Sequence, residues 1–130
     1  VRAPYSYDYA VVRVVPRVER EEFINVGAIV VCAAKNFLGA LVATEERRLL
    51  ALDPTIDLTL LRKHLESISV ICAGGAEAGP IGALPLRQRF DWLVAPRSTV
   101  IQMSPVHTGR CEDPESALRH LLHKMVKTTA

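Results

Sequence analysis

The run Asn25–Ala34, NVGAIVVCAA, constrains this chain more than any other part of it. It carries no charge, and apolar residues fall on both of the alternating sets that a strand presents. Such a run is expected at the centre of a sheet rather than at a wetted edge. Gly27 inside it predicts a bulge or a close approach of another backbone. Tyr7–Val15, YDYAVVRVV, is its natural neighbour. Ala10, Val12 and Val14 make one face wholly apolar, Arg13 is the single charge on the other, and Pro16 closes the strand. The charged stretch Arg17–Glu22 reads as a turn or short helical link. Lys35-Asn36 makes a tight turn, since Asn36 tolerates positive φ, and Phe37–Ala43 returns as a third strand. These runs form an antiparallel meander.

The hydrophobic period then changes from two to 3.6. Thr44 is expected to cap a short helix, Glu45–Leu52, stopped by Asp53-Pro54. A second helix starts near Asp57, with Leu58, Leu61, Leu65, Ile68 and Cys72 on one face and Gly74-Gly75 ending it in a left-handed cap. The Gly/Ala/Pro-rich stretch around Gly74–Gly82 reads as an ordered surface loop or lid. Phe90, Trp92 and Val94 alternate with Asp91 and Leu93 as a fourth strand would; a short helix over Arg87–Leu93 is the competing reading. Thr99–Met103 is a further short strand. Asp113-Pro114-Glu115 supplies a cap, a first-turn proline and a first-turn acid for a last helix. Its apolar stripe is Ala117, Leu118, Leu121, Leu122, Met125 and Val126. The pattern predicts a single α+β domain over residues 1–130, an antiparallel sheet of four to five strands with helices packed mainly on one face.

Composition limits the function classes. At 49% hydrophobic and 23% charged residues, the chain is neither disordered nor a disulfide-dense miniprotein. A net charge of +2 and 5% aromatics argue against nucleic acid as a partner. Arginines outnumber lysines twelve to four, which suits bidentate contacts to carboxylates or phosphates and also protein interfaces. No run approaches the length of a membrane-spanning helix. The start, VRAPYSYDY, lacks a signal-peptide pattern, so a cytoplasmic location is expected. Cys32 and Cys72 read as core residues, whereas Cys111, after Arg110, is the one expected to be reachable.

The least routine segment is Pro96–Arg110, PRSTVIQMSPVHTGR. Arg97 with Ser98 and Thr99 is suited to clamping a phosphate or carboxylate, with Ser104, His107 and Thr108 nearby and His107 able to move a proton near neutral pH. The competing reading is a loop whose hydroxyls satisfy its own turns. Glu22 and Asn25, at the mouth of the central strand, would face this loop; as a Mg²⁺ site they lack a third ligand. His120 and His123 lie one turn apart on the last helix and likewise lack a third ligand for zinc. A triad of Ser104 or Ser98 with His107 and Asp91 has no nucleophile elbow to support it. No cofactor is expected.

Two stretches, EREEFINVGAIVVC and RFDWLVAPRSTVIQMSPVHTG, resemble a bacterial family, domain of unknown function 3037. The likeness extends from YSYDYAVVRVVPR to CEDPESALRHLL, and Met103 departs from the smaller or polar residue expected there. The resemblance marks Glu22, Asn25, Gly27, Trp92, Arg97, Ser98, Thr99, His107, Thr108 and Gly109 as motif positions. It implies a small cytoplasmic bacterial protein whose genes often neighbour a HipA-like kinase, hence a non-catalytic accessory or interaction module for a kinase-like protein partner. The alternative expectation is an enzyme or sensor that holds a small phosphorylated ligand on the Pro96–Arg110 loop.

Overall fold

The apolar run becomes strand β2 (Ile24–Cys32), buried along all of its length except Asn25 and flanked by β1 (Tyr5–Val14) and β3 (Phe37–Val42). The computed structural model describes residues 3–97 and 99–127. After the meander come α1 (Glu46–Leu52), α2 (Leu58–Ala73) and α3 (Leu86–Val94). Two short strands follow, β4 (Ile101–Met103) and β5 (His107–Cys111), and then α4 (Pro114–Met125). The sheet is antiparallel with five strands, in the order β3-β2-β1, and both β4 and β5 pair with the outer edge of β1. This is an α+β fold.

Both faces of the sheet are covered. On one, Val12, Val14, Ile24, Val26, Ile29 and Val31 pack against Leu49 of α1, Leu61, Leu65 and Ile68 of α2, and Phe90 and Leu93 of α3. On the other, Ala28 and Val30 pack against Leu118 and Leu121 of α4, with Tyr7, Tyr9, Phe37 and Leu41 around them. Even-numbered Ile24 and Val26 share a core with odd-numbered Ile29 and Val31 because the β1–β2 register shifts between Val12 and Arg13. Gly27 sits at that bulge, and a Cβ there would lie 2.5 Å from the Leu41 carbonyl oxygen of β3. Bulge and close approach are both present.

Local signals mostly act where expected. Asn36 adopts φ 50° after a 3-10 turn, Asp57 caps α2 by accepting from the Leu60 N–H, and Asp113 caps α4 by accepting from the Ser116 N–H. Arg17–Glu22 contains a 3-10 turn at Val18–Arg20. Three expectations are corrected. Helix α1 starts at Glu46 with Glu45 at its cap position, so Thr44 lies outside it. The Phe90–Val94 stretch is α3 and not a strand, because Phe90 and Leu93, three apart, are the residues it buries and Trp92 faces solvent. Gly74 takes φ 75° but ψ −172°, outside the left-handed helical region, and the chain continues into a 3-10 segment, Ala76–Ala83, kinked at Gly79. Arg89 of α3 fastens this region by donating to the Ile71, Cys72 and Leu84 carbonyls.

The SPVHTG stretch, read as loop, is where the edge of β1 is completed. β4 pairs with Val12–Val14 and β5 with Tyr5–Tyr9, leaving Ser104-Pro105-Val106 between them. Pro105 has no N–H to donate. Ser104 is buried, donates its N–H to the Val11 carbonyl at 2.9 Å, and accepts the Val11 N–H on Oγ at 2.8 Å. Its hydroxyl replaces the missing ladder acceptor. Ser104→Ala leaves the Val11 N–H buried without a partner, and we expect a loss of about 1–3 kcal/mol in urea unfolding. A loss within about 0.5 kcal/mol, as for an ordinary surface change, would contradict this role.

Candidate functional site

Apart from His107, each polar residue of Pro96–Arg110 that the structure describes can be followed to a hydrogen-bond partner. The last turn of α3 leaves carbonyls without intrahelical donors. Arg97 folds back onto them, donating from Nη1 to Leu93 at 3.0 Å and from Nη2 to Trp92 at 2.6 Å, with a longer bond to Ala95. Its guanidinium also lies 4.5 Å from the centre of the Trp92 ring. A cation at the negative end of a helix is stabilising as well as hydrogen-bonded. Thr99 donates to the Ile101 carbonyl, and Gln102 donates to that of Thr99. Ser98 lies outside the described residues. Arg110 donates to the Ala3 and Pro4 carbonyls.

His107 is exposed on β5, its ring 5.5 Å from that of Tyr9. Gly109 lies beneath the Tyr7 ring, and a Cβ there would meet Tyr7 Cζ at 2.7 Å. Thr108 donates to Asp8 at 2.7 Å. Asp8 in turn pairs with Arg87 of α3 at 2.6 Å, and Arg87 with Asp91 at 3.1 Å. This network ties α3 to both strands at one end of the sheet. Neither Asp8 nor Arg87 stands out in the sequence, because they are 79 residues apart.

Glu22 pairs with Arg20 in an exposed position, and Asn25 donates to the Met125 carbonyl at the end of α4. Arg13, the cross-strand neighbour of Asn25, lies 4.1 Å from the centre of the Phe23 ring. The groove beside α3 that takes in Arg97 and Ser104 is lined also by Val94, Gln102, Pro105 and Val106, and neither His107, Glu22 nor Asn25 reaches it. The residues expected to face one another are thus distributed over separate parts of the surface. Cys111 is buried, not reachable, and burial raises its thiol pKa. Among the described residues no group of three His, Cys, Asp or Glu is placed to hold a metal ion. None of the described helices is long and apolar enough to cross a membrane.

What the motif region does present is apolar surface. Leu60, Trp92, Val100 and Val106 are each about two-fifths exposed or more. Leu60 and Val100 border a shallow groove also lined by His64, Thr99 and Ile101, and these three are shared with a second groove bordered by Trp92 and Arg97. Arg97 and Met103 carry on into the groove flanked by Val106. The three form one surface across α2, α3 and β4. Hydropathy of single residues does not reveal it, because its members come from four segments of the chain.

The Thr108 hydrogen bond, followed by Arg87, holds the Asp8 carboxyl below its ordinary pKa. A lowered folded-state pKa adds stability that is complete above the unfolded carboxyl's range and is lost as pH falls through the folded value. Since Arg87 is 55% exposed, water screens the pair. Asp8→Asn is therefore expected to destabilise by about 1 kcal/mol or less at neutral pH. The difference should shrink in acid; a gap in melting temperature that widens as pH falls would contradict the assignment.

No curated protein and no solved structure matches the chain. One family model does, that of a protein of unknown function, DUF3037, over residues 9–126. The matched span starts within β1, at Tyr9, and runs through the Arg97–Trp92 stack, the Ser104 break and Gly109 to the end of α4; Tyr7 and Asp8 lie just before it. The chain belongs to this family.

Proposed function

We propose that this protein is a non-catalytic accessory module that docks a protein partner on the surface formed by Leu60, Trp92, Val100 and Val106. The observation that carries this reading is the continuity of three grooves across the motif segment. Arg97, Thr99, Ser104 and Thr108 satisfy their own backbone and neighbours, so apolar area is what the segment offers to another molecule. Exposed aromatic and aliphatic side chains beside a stacked arginine are the composition of an interface centre. The family resemblance directs the partner search to a HipA-like kinase in a bacterial cytoplasm.

The test is affinity co-purification from the native host at moderate salt, comparing wild type with a Leu60→Glu, Val100→Glu variant. Both side chains are exposed, so melting temperature should change little. Recovery of a stoichiometric companion is expected to drop about tenfold or more, as for loss of a central apolar contact. A protein without a partner in its own cells, or a companion retained by the variant, would overturn the reading.

A further inference from the structure

The two edges of the sheet differ in how they are protected. The edge beyond β1 is closed by two short strands, interrupted by Pro105, and β4 at its end is only three residues long. Short, broken edge strands of this kind discourage pairing with another chain. β3 forms the other edge, and its sequence, FLGALV, has no charge, no proline and no break in its register against β2. α2 and α4 lie over its two faces, Leu38, Ala40 and Val42 toward α2 and Phe37 and Leu41 toward α4. All six β3 residues nevertheless remain partly exposed, while Gly27–Cys32 opposite them are buried. The exposure is that of the edge itself.

The Ala43 N–H bonds to the Val26 carbonyl of β2. Antiparallel pairs alternate between bonded and non-bonded, so the N–H and C=O groups of Leu38, Ala40 and Val42 point away from β2. Ala40 and Val42 border a groove of about 380 Å³ between β3 and α2, with Leu65 in its lining and Arg62 and Glu66 at its rim. We infer that β3 pairs with β3 of a second copy of this chain, antiparallel about a two-fold axis, to make one continuous sheet. Such pairing is isologous and closes on itself. With Ala40 near the axis, Leu38 of each copy meets Val42 of the other, apolar against apolar. The rim carries both signs, Arg62 in its pair with Glu46 of α1 and Glu66 one turn further on, and so is complementary to its own two-fold image, whereas a rim of one sign would repel its copy. The dimer places the Leu60–Trp92–Val100 surface at the far edges, so this inference stands whether or not that surface docks a partner.

Sedimentation equilibrium of the purified chain tests it, read together with amide exchange. The expected species at high micromolar concentration has twice the 14.3 kDa chain mass, and the Ala40 and Val42 amides lose protection on dilution. Ala40→Pro removes an outward N–H and spares the ladder to β2. It is expected to weaken the dimer by about tenfold or more while retaining a cooperative melt. Should that variant fail to fold, Glu66→Lys at an exposed position of α2 replaces the rim anion that Arg62 does not already hold with a cation and is expected to weaken association too. A chain that stays monomeric at that concentration would overturn the inference, leaving the edge to a strand of another protein. A dimer whose Ala40 and Val42 amides exchange freely, or that neither variant weakens, would overturn it as well.

Discussion

Burial of β2 on both faces is the constraint on which the rest of the molecule depends. A strand with Val26, Ile29 and Val31 toward one side and Ala28 and Val30 toward the other needs two covering layers. Each fully buried aliphatic side chain contributes about 1.5–3 kcal/mol, so leaving either face wet would forfeit a large part of the net stability of a domain this small. α1, α2 and α3 cover the first face, and the amphipathic α4 covers the second. Asn25 helps hold that second layer in place through its bond to the Met125 carbonyl.

β1 links this core to the motif segment. It is long enough to pair with β2 along most of its length and still offer a second edge, and that edge is filled in two pieces. Pro105 breaks the ladder and Ser104 repairs it with a side chain, which changes the chain's path between β4 and β5 without orphaning a buried amide. Arg97 acts similarly one element earlier, converting the open end of α3 into a bonded turn. A cluster of hydroxyls, an arginine and a histidine in sequence thus becomes a set of separate structural fittings, with the outward surface left to apolar side chains.

Electrostatics follow the same division. Asp8, Arg87, Asp91 and Thr108 form their network at one end of the sheet, where α3 passes β1 and β5. Arg62 and Glu46 join α2 to α1 beside the free edge of β3. These exposed pairs add orientation more than stability, since solvent screens them. The two regions suited to contact with other chains, the Leu60–Trp92–Val100 surface and the β3 edge, lie at opposite sides of the sheet.

Much of the fold was legible because its signals are local. The apolar run of β2, the Asn36 turn, the Asp57 cap and the Asp113-Pro114 start of α4 each depend on a few neighbouring residues, and Gly27 announced its bulge. The Phe90–Val94 stretch was ambiguous because a five-residue window fits periods of two and 3.6 almost equally. Packing of Phe90 and Leu93 together beneath the sheet decided it. The candidate site was legible as a composition and not as a geometry. Whether Arg97 grips an anion or its own helix, whether Ser104 reacts or completes a ladder, and whether Cys111 meets solvent depend on groups up to about a hundred positions away. The sequence by itself determined that β2 must be buried and where α2 and α4 begin. Tertiary structure alone decided which polar groups find partners, because hydrogen bonds and ion pairs act over a few ångströms in space and leave no period along the chain.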